Sequence, residues 1–70
     1  MKYAICIENK DYEACLEKRK LYQIVEDKEA ESLKQLRIID EEGEDYLYSS
    51  KMFLVVDLPL QVVETLEAIA

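Results

Sequence analysis

One glycine in an acidic turn limits most strongly what this chain can fold into. Gly43 is the only glycine of the 70 residues, and it lies within the acidic run at residues 40–45. The segments on either side, residues 36–39 and 46–48, carry leucine, isoleucine and tyrosine, which pleated surfaces favour. Because glycine adopts the positive φ that tight hairpin turns need, this block predicts a β-hairpin.

The register of that hairpin has two solutions. A three-residue loop pairs Ile38 with Tyr46, and a four-residue loop pairs Ile38 with Leu47. Since side chains alternate between the two faces of a strand, a shift of one residue exchanges the faces. The sequence leaves both registers open.

The remaining elements follow from residue type and periodicity. Alternating or β-branched residues predict three more strands, and helix formers after Asp27 predict one or two helical turns. Pro59 stops the last strand, and apolar residues then recur at spacings of three and four, which predicts an amphipathic helix. The predicted strands are residues 2–8, 21–25 and 53–56, with helical turns at 27–34, a short turn at 49–52 and a helix from residue 60.

These elements predict a mainly β, five-stranded small barrel with a short helical insertion and a C-terminal α-helix. Residues 1–58 would form the barrel, and residues 59–70 would form a helix that packs on the barrel or on a partner. A chain of this length buries only about 60% of the surface that its unfolded form exposes, so we expect one domain with limited stability.

Two segments resemble the Src homology 3 family of small β-barrels. Residues 16–25, LEKRKLYQIV, resemble the family's segment in which a leucine, a turn and a strand follow a long first loop. Residues 43–56 resemble its distal hairpin, short helical turn and closing strand. The chain also resembles short uncharacterised bacterial proteins with the same pattern, and that likeness implies no established activity.

The departures from the family lie where its peptide-binding members recognise ligands. Those members use aromatic residues in the first strand, a tryptophan after the helical insertion, and a proline and a tyrosine around the short turn. Here residues 4–7 are AICI, Leu36 or Arg37 replaces the tryptophan, Ser49 takes the proline position and Met52 the tyrosine position. The resemblance therefore implies that the groove for proline-rich peptides is mostly absent.

Charge and cysteine content restrict the function classes. Sixteen acids against nine bases give a formal charge of -7, which repels nucleic-acid phosphates and anionic lipids. The basic run at residues 18–20 reads as a solvated turn. Cys6 and Cys15 are too few for a disulfide scaffold, and no segment approaches the roughly 20 apolar residues of a membrane span, so we expect reduced thiols in a cytoplasmic protein.

No residue pattern predicts catalysis, a cofactor or a small-molecule substrate. The acidic turn does not follow a calcium-binding loop, because Gly43 is fourth from Asp40 rather than sixth, so we interpret it as a solvated hairpin tip without a metal. The chain has no histidine, and Cys6 and Cys15 have no visible partner base. We therefore expect no enzyme activity.

Aromatic residues supply the candidate contact surface. Core packing accounts for Tyr3, Tyr22 and Phe53, whereas Tyr12 with Tyr48 is the candidate for an aromatic cage. The leading hypothesis is a noncatalytic protein-interaction or accessory module that binds a protein partner or a second copy. The alternative, a nucleic-acid-binding small barrel, is disfavoured by the charge. The predicted contact residues are Tyr12, Tyr46, Tyr48, Met52, Val62 and Leu66.

Overall fold

A five-stranded antiparallel sheet that curls into a half-barrel, followed by a C-terminal helix, makes up this mainly β protein. The computed structural model describes residues 2–69. Met1, the first residue of the predicted barrel segment 1–58, and Ala70, the last residue of the predicted helical segment 59–70, lie outside the described residues. The strands are β1 (Lys2–Cys6), β2 (Leu21–Val25), β3 (Gln35–Ile39), β4 (Asp45–Ser49) and β5 (Phe53–Val56). The helices are α1 (Lys28–Ser32), a 3₁₀ turn (Ser50–Met52) and α2 (Leu60–Ala68).

The order of strands in the sheet is β4-β3-β2-β1-β5. The prediction of a mainly β fold with a C-terminal helix is confirmed, and the bounds of β2 and β5 are as predicted. The first strand ends at Cys6, two residues before the predicted end. Within residues 2–69 the sheet stays open between β4 and β5, so both are edge strands.

The hairpin adopts the first of the two predicted registers. Ile38 pairs with Tyr46, and Leu36 pairs with Tyr48. Directly paired residues project from the same face of a sheet, so this register places Tyr48 beside the buried Leu36 and Ile38. The turn closes through a hydrogen bond from the Gly43 amide to the Asp40 carbonyl, 3.0 Å long.

The core lies on the concave face of the sheet and is sealed at one end by the long loop, residues 7–20. Leu16 of this loop is 1% exposed, although it belongs to no strand. Burial of such a side chain contributes about 1.5–3 kcal/mol. The core residues are Ala4, Cys6, Leu16, Tyr22, Ile24, Leu36, Ile38, Tyr48 and Phe53.

Asp27 begins α1 and also ties it to the sheet. Its Oδ1 accepts a hydrogen bond from the Ala30 amide at 3.0 Å, as the sequence predicted for a helix cap. Its Oδ2 accepts from Arg37 Nε at 2.9 Å, and Arg37 Nη1 also donates to Asp45 at 3.1 Å. The Ala30 amide and then Arg37 hold the pKa of Asp27 below its usual value.

The C-terminal helix α2 buries only part of its predicted apolar stripe. Pro59 immediately precedes the helix, and Val63 is buried, so α2 lies against the rest of the chain at that residue. Leu66 is half-buried. The exposed large apolar residues of this segment are Leu60, Val62 and Ile69. Within residues 2–69 we find no helix with the length and apolar content needed to cross a membrane.

A substitution at Gly43 tests the turn. Gly43 has a φ of 78°, and a Cβ added there would meet no atom within 4 Å, so the cost of a side chain is conformational. We expect Gly43→Ala to lower the free energy of unfolding by about 1–2 kcal/mol, measured by urea denaturation. Gly43→Asn is the control and should cost less, because asparagine tolerates positive φ. Equal losses of unfolding free energy in the two variants would contradict a left-handed conformation at Gly43.

Candidate functional site

The long loop and the β3–β4 turn meet at one end of the half-barrel. The Glu41 amide of the turn donates a 3.0 Å hydrogen bond to the carbonyl of Cys15 in the loop. A cleft of about 230 Å³ opens at this junction. We call it the aromatic cleft; its lining residues are Tyr12, Cys15, Glu42, Tyr46, Leu47 and Tyr48.

Tyr48 forms the floor of the aromatic cleft. Its ring is packed edge-on against Tyr12, with 5.2 Å between the ring centroids, and is tilted against Phe53 at 5.9 Å. Tyr48 is 4% exposed, whereas Tyr12 and Tyr46 are 44% and 48% exposed. The outer two tyrosines can therefore contact a partner, while the buried ring of Tyr48 packs against Tyr12.

A buried carboxylate holds Tyr48 in place. The Tyr48 hydroxyl donates to Asp40 Oδ2 at 3.0 Å, and the Glu42 amide donates to Asp40 Oδ1 at 2.9 Å. Burial, and then the hydrogen bond to Asp40, raise the pKa of Tyr48. Asp40 is only 5% exposed, so the interpretation of the whole acidic turn as solvated is wrong at its first residue. The exposed tip consists of residues 41–45.

A second tyrosine network fixes the other side of the long loop. The Tyr22 hydroxyl accepts from the Glu17 amide at 2.7 Å and donates to Glu41 Oε1 at 2.9 Å. Lys20 forms an ion pair with the same carboxylate, and it lowers the pKa of Glu41 together with Tyr22. Burial is the main cause that raises the pKa of Tyr22 to about 12. In this second network, the turn residue Glu41 is linked to the loop through Lys20 and Tyr22.

The structure brings three of the predicted contact residues together and separates the other three. Tyr12, Tyr46 and Tyr48 line the aromatic cleft. Met52 is half-buried and packs against the core, and Val62 and Leu66 lie on α2. A contact role for each of these residues stays a prediction.

Sequence reasoning missed three lining residues, Cys15, Glu42 and Leu47. Leu47 alternates with the two tyrosines of β4, so strand periodicity places its side chain on the opposite face of the sheet, where it is 43% exposed. Cys15 reaches the cleft only because the long loop folds back, and its Sγ lies 3.8 Å from Glu42 Oε1. No local pattern indicates that contact.

The side chains that line the cleft are aromatic, aliphatic and acidic, with one thiol. Burial, and then the Glu42 and Asp40 carboxylates, raise the pKa of the Cys15 thiol, whereas an activated nucleophile needs a lowered pKa. Across residues 2–69, no group of three or more cysteine, aspartate or glutamate side chains is arranged to hold a metal ion. Exposed rings beside one carboxylate suit apolar or cationic groups of a partner.

Comparisons of the chain with protein-family models, with curated proteins and with solved structures find no match.

Removal of the Tyr48 hydroxyl tests the buried pair. Tyr48→Phe leaves a buried Asp40 oxygen without its donor, and we expect the free energy of unfolding to fall by about 1–3 kcal/mol in urea denaturation. Tyr46→Phe is the matched control, because the Tyr46 hydroxyl bonds Glu44 at the exposed surface. That variant should change stability by less than about 0.5 kcal/mol. A similar loss in both variants would show that the Asp40 contact contributes nothing specific.

Alkaline titration tests the Tyr22 network. A tyrosine whose pKa is raised in the folded state stabilises that state fully below its unfolded pKa, near 10. This contribution is lost as the pH rises towards the folded pKa of Tyr22, about 12. We expect ultraviolet absorbance of tyrosinate to show a late step that Tyr22→Phe reduces by one tyrosine. If that variant leaves the late step unchanged, the raised pKa does not belong to Tyr22.

Proposed function

We propose that this protein is a small noncatalytic protein-interaction or accessory module, built on a Src homology 3-like half-barrel and located in the cytoplasm. The observation that carries the proposal is the aromatic cleft, where the exposed rings of Tyr12 and Tyr46 lie beside the buried ring of Tyr48. Exposed apolar side chains gathered at one place on a highly charged chain mark interaction surfaces. Tyrosine suits such surfaces, because it combines a large apolar ring with one hydrogen-bonding group.

Strand order and loop placement support the Src homology 3-like assignment. The sheet runs β4-β3-β2-β1-β5, a long loop follows β1, and a 3₁₀ turn precedes β5. These are the elements in the sequence order that the resemblance implies. The cytoplasmic location is supported by two free thiols, Cys6 and Cys15, because disulfides are rare in reducing compartments.

The proposed contact surface differs from a groove for proline-rich peptides. Ser49 caps the 3₁₀ turn, where its Oγ accepts from the Lys51 amide at 3.3 Å. Met52, at the position of the family's tyrosine, has no aromatic ring and packs against the core. Neither residue provides the stacking surface that polyproline ligands need. The aromatic cleft, on the side of the long loop and the β3–β4 turn, is therefore the proposed contact surface.

A comparison of partner recovery tests this function. The tagged full chain is expressed in the organism that encodes it, and proteins that purify with it are quantified by mass spectrometry. We expect Tyr12→Ala with Tyr46→Ala to reduce the recovered partner by about tenfold or more, because truncation of aromatic anchors costs about 2 kcal/mol or more. Leu33→Ala is the control, because Leu33 is 65% exposed and lies outside the cleft.

Three results would contradict the proposal. Unchanged recovery by the double variant would exclude the aromatic cleft as the contact surface. Equal losses in the double variant and in Leu33→Ala would mean that contact is nonspecific. Recovery of no protein with the unaltered chain would contradict a role as an interaction module.

A further inference from the structure

The outer edge of β5 has free backbone groups. Ile7 donates to the Met52 carbonyl at 2.8 Å, and this bonded pair continues the β1–β5 register. Bonded and non-bonded pairs alternate along an antiparallel ladder, so Leu54 and Val56 direct their backbone groups to β1. The N–H and C=O of Val55 consequently point away from β1, and within residues 2–69 no hydrogen bond to them is found.

β5 is short, but it lacks the charges and the proline that often protect an edge strand. Its four residues, FLVV, include no charge and no proline. Leu54 and Val55 project to opposite faces and are 57% and 52% exposed. An uncharged strand with free backbone groups and exposed apolar side chains is a template for a further strand.

A cavity of about 330 Å³ opens beside this edge, on the concave side of the sheet. Val55, Ile24 and Leu36 form its apolar wall. The charged residues at the cavity are Lys2, Glu26 and Glu31. None of its lining residues belongs to the aromatic cleft, so the two surfaces are separate.

The charged residues at the cavity indicate which kind of partner can bind there and along the edge of β5. Glu26 and Glu31 outnumber Lys2, and neither acid forms an ion pair within the described chain. Asp57 adds a further acid directly after β5. A second copy of the chain also carries a charge of -7, so its approach is opposed by like charge. A basic segment of another protein is favoured at the same place.

We propose that β5 is the docking edge for an extended segment of a basic partner protein. The segment adds a strand beside β5 through the free backbone groups of Val55. Residues two apart in a strand project to the same face, so one apolar side chain enters the cavity and a lysine or arginine two positions away meets Glu26 and Glu31. The recognised pattern is apolar, any residue, then basic, read in either chain direction.

Selection from a random peptide library displayed on phage tests this docking edge on the full chain. We expect the bound peptides to be enriched in an apolar residue two positions from a lysine or arginine. In nuclear magnetic resonance titrations, the selected peptides should shift the amide signals of Val55 and its β5 neighbours. They should bind equally well to the Tyr12→Ala, Tyr46→Ala variant, because the aromatic cleft is a separate surface; this separates failure here from failure of the proposed function.

Two variants make the test specific. Glu26→Lys with Glu31→Lys changes exposed side chains only. This double variant should lower the affinity for the selected peptides more than about tenfold, and it should favour peptides with aspartate or glutamate at the basic position. Val55→Pro removes the free edge donor at a position where edge strands tolerate proline, and it should abolish the shifts. If Val55→Pro fails to fold, judged by circular dichroism, the charge-reversal variant decides alone.

Several outcomes would overturn the proposal. The proposal is wrong if the library yields no binders, or if the enriched pattern lacks the basic residue. It is also wrong if charge reversal leaves the affinity for the selected peptides unchanged. Amide shifts confined to Tyr12 and Tyr46 would place the peptides in the aromatic cleft instead. A dimer of the unaltered chain in analytical ultracentrifugation that Val55→Pro converts to a monomer would show that a second copy occupies the edge.

Discussion

The side chain of Tyr48 is the contact on which the rest of the structure depends. Its ring packs between Phe53 of the core and Tyr12 of the long loop, and its hydroxyl bonds Asp40 in the β3–β4 turn. One residue of an edge strand therefore joins the core, the loop and the turn. Because the half-barrel is open between β4 and β5, side-chain contacts of this kind hold its end together where backbone pairing does not.

A small chain with many charges has to satisfy each polar group that it buries, because an unpaired group costs about 1–3 kcal/mol. In residues 2–69 we find no buried side-chain nitrogen or oxygen without a hydrogen bond. Asp40 accepts from two donors, and Tyr22 both accepts and donates. These bonds link the long loop and the turn to strands β2 and β4, next to the two exposed tyrosines of the aromatic cleft.

Local residue chemistry was sufficient for much of the fold. The β-branched and aromatic run of β2 and the uncharged run of β5 predicted both strands with their observed bounds, and Asp27 predicted the helix cap. Prediction was less complete for features that depend on contacts between residues distant in the chain. Both hairpin registers satisfy the turn at Gly43, and the burial of Leu36 and Tyr48 on one face distinguishes them. The candidate site was predicted in part, since the tyrosines stand out in the sequence whereas Cys15 does not.

The sequence by itself determined the mainly β class, the positions of most elements, and a charge that opposes anionic partners, because these depend on residue type and short-range spacing. Only the tertiary structure decided that Asp40 is buried and that the backbone N–H and C=O of Val55 point outward from a free edge. Both depend on which residues meet across the sheet and the long loop. Burial and edge position are properties of neighbours distant in the chain, and no local pattern contains them.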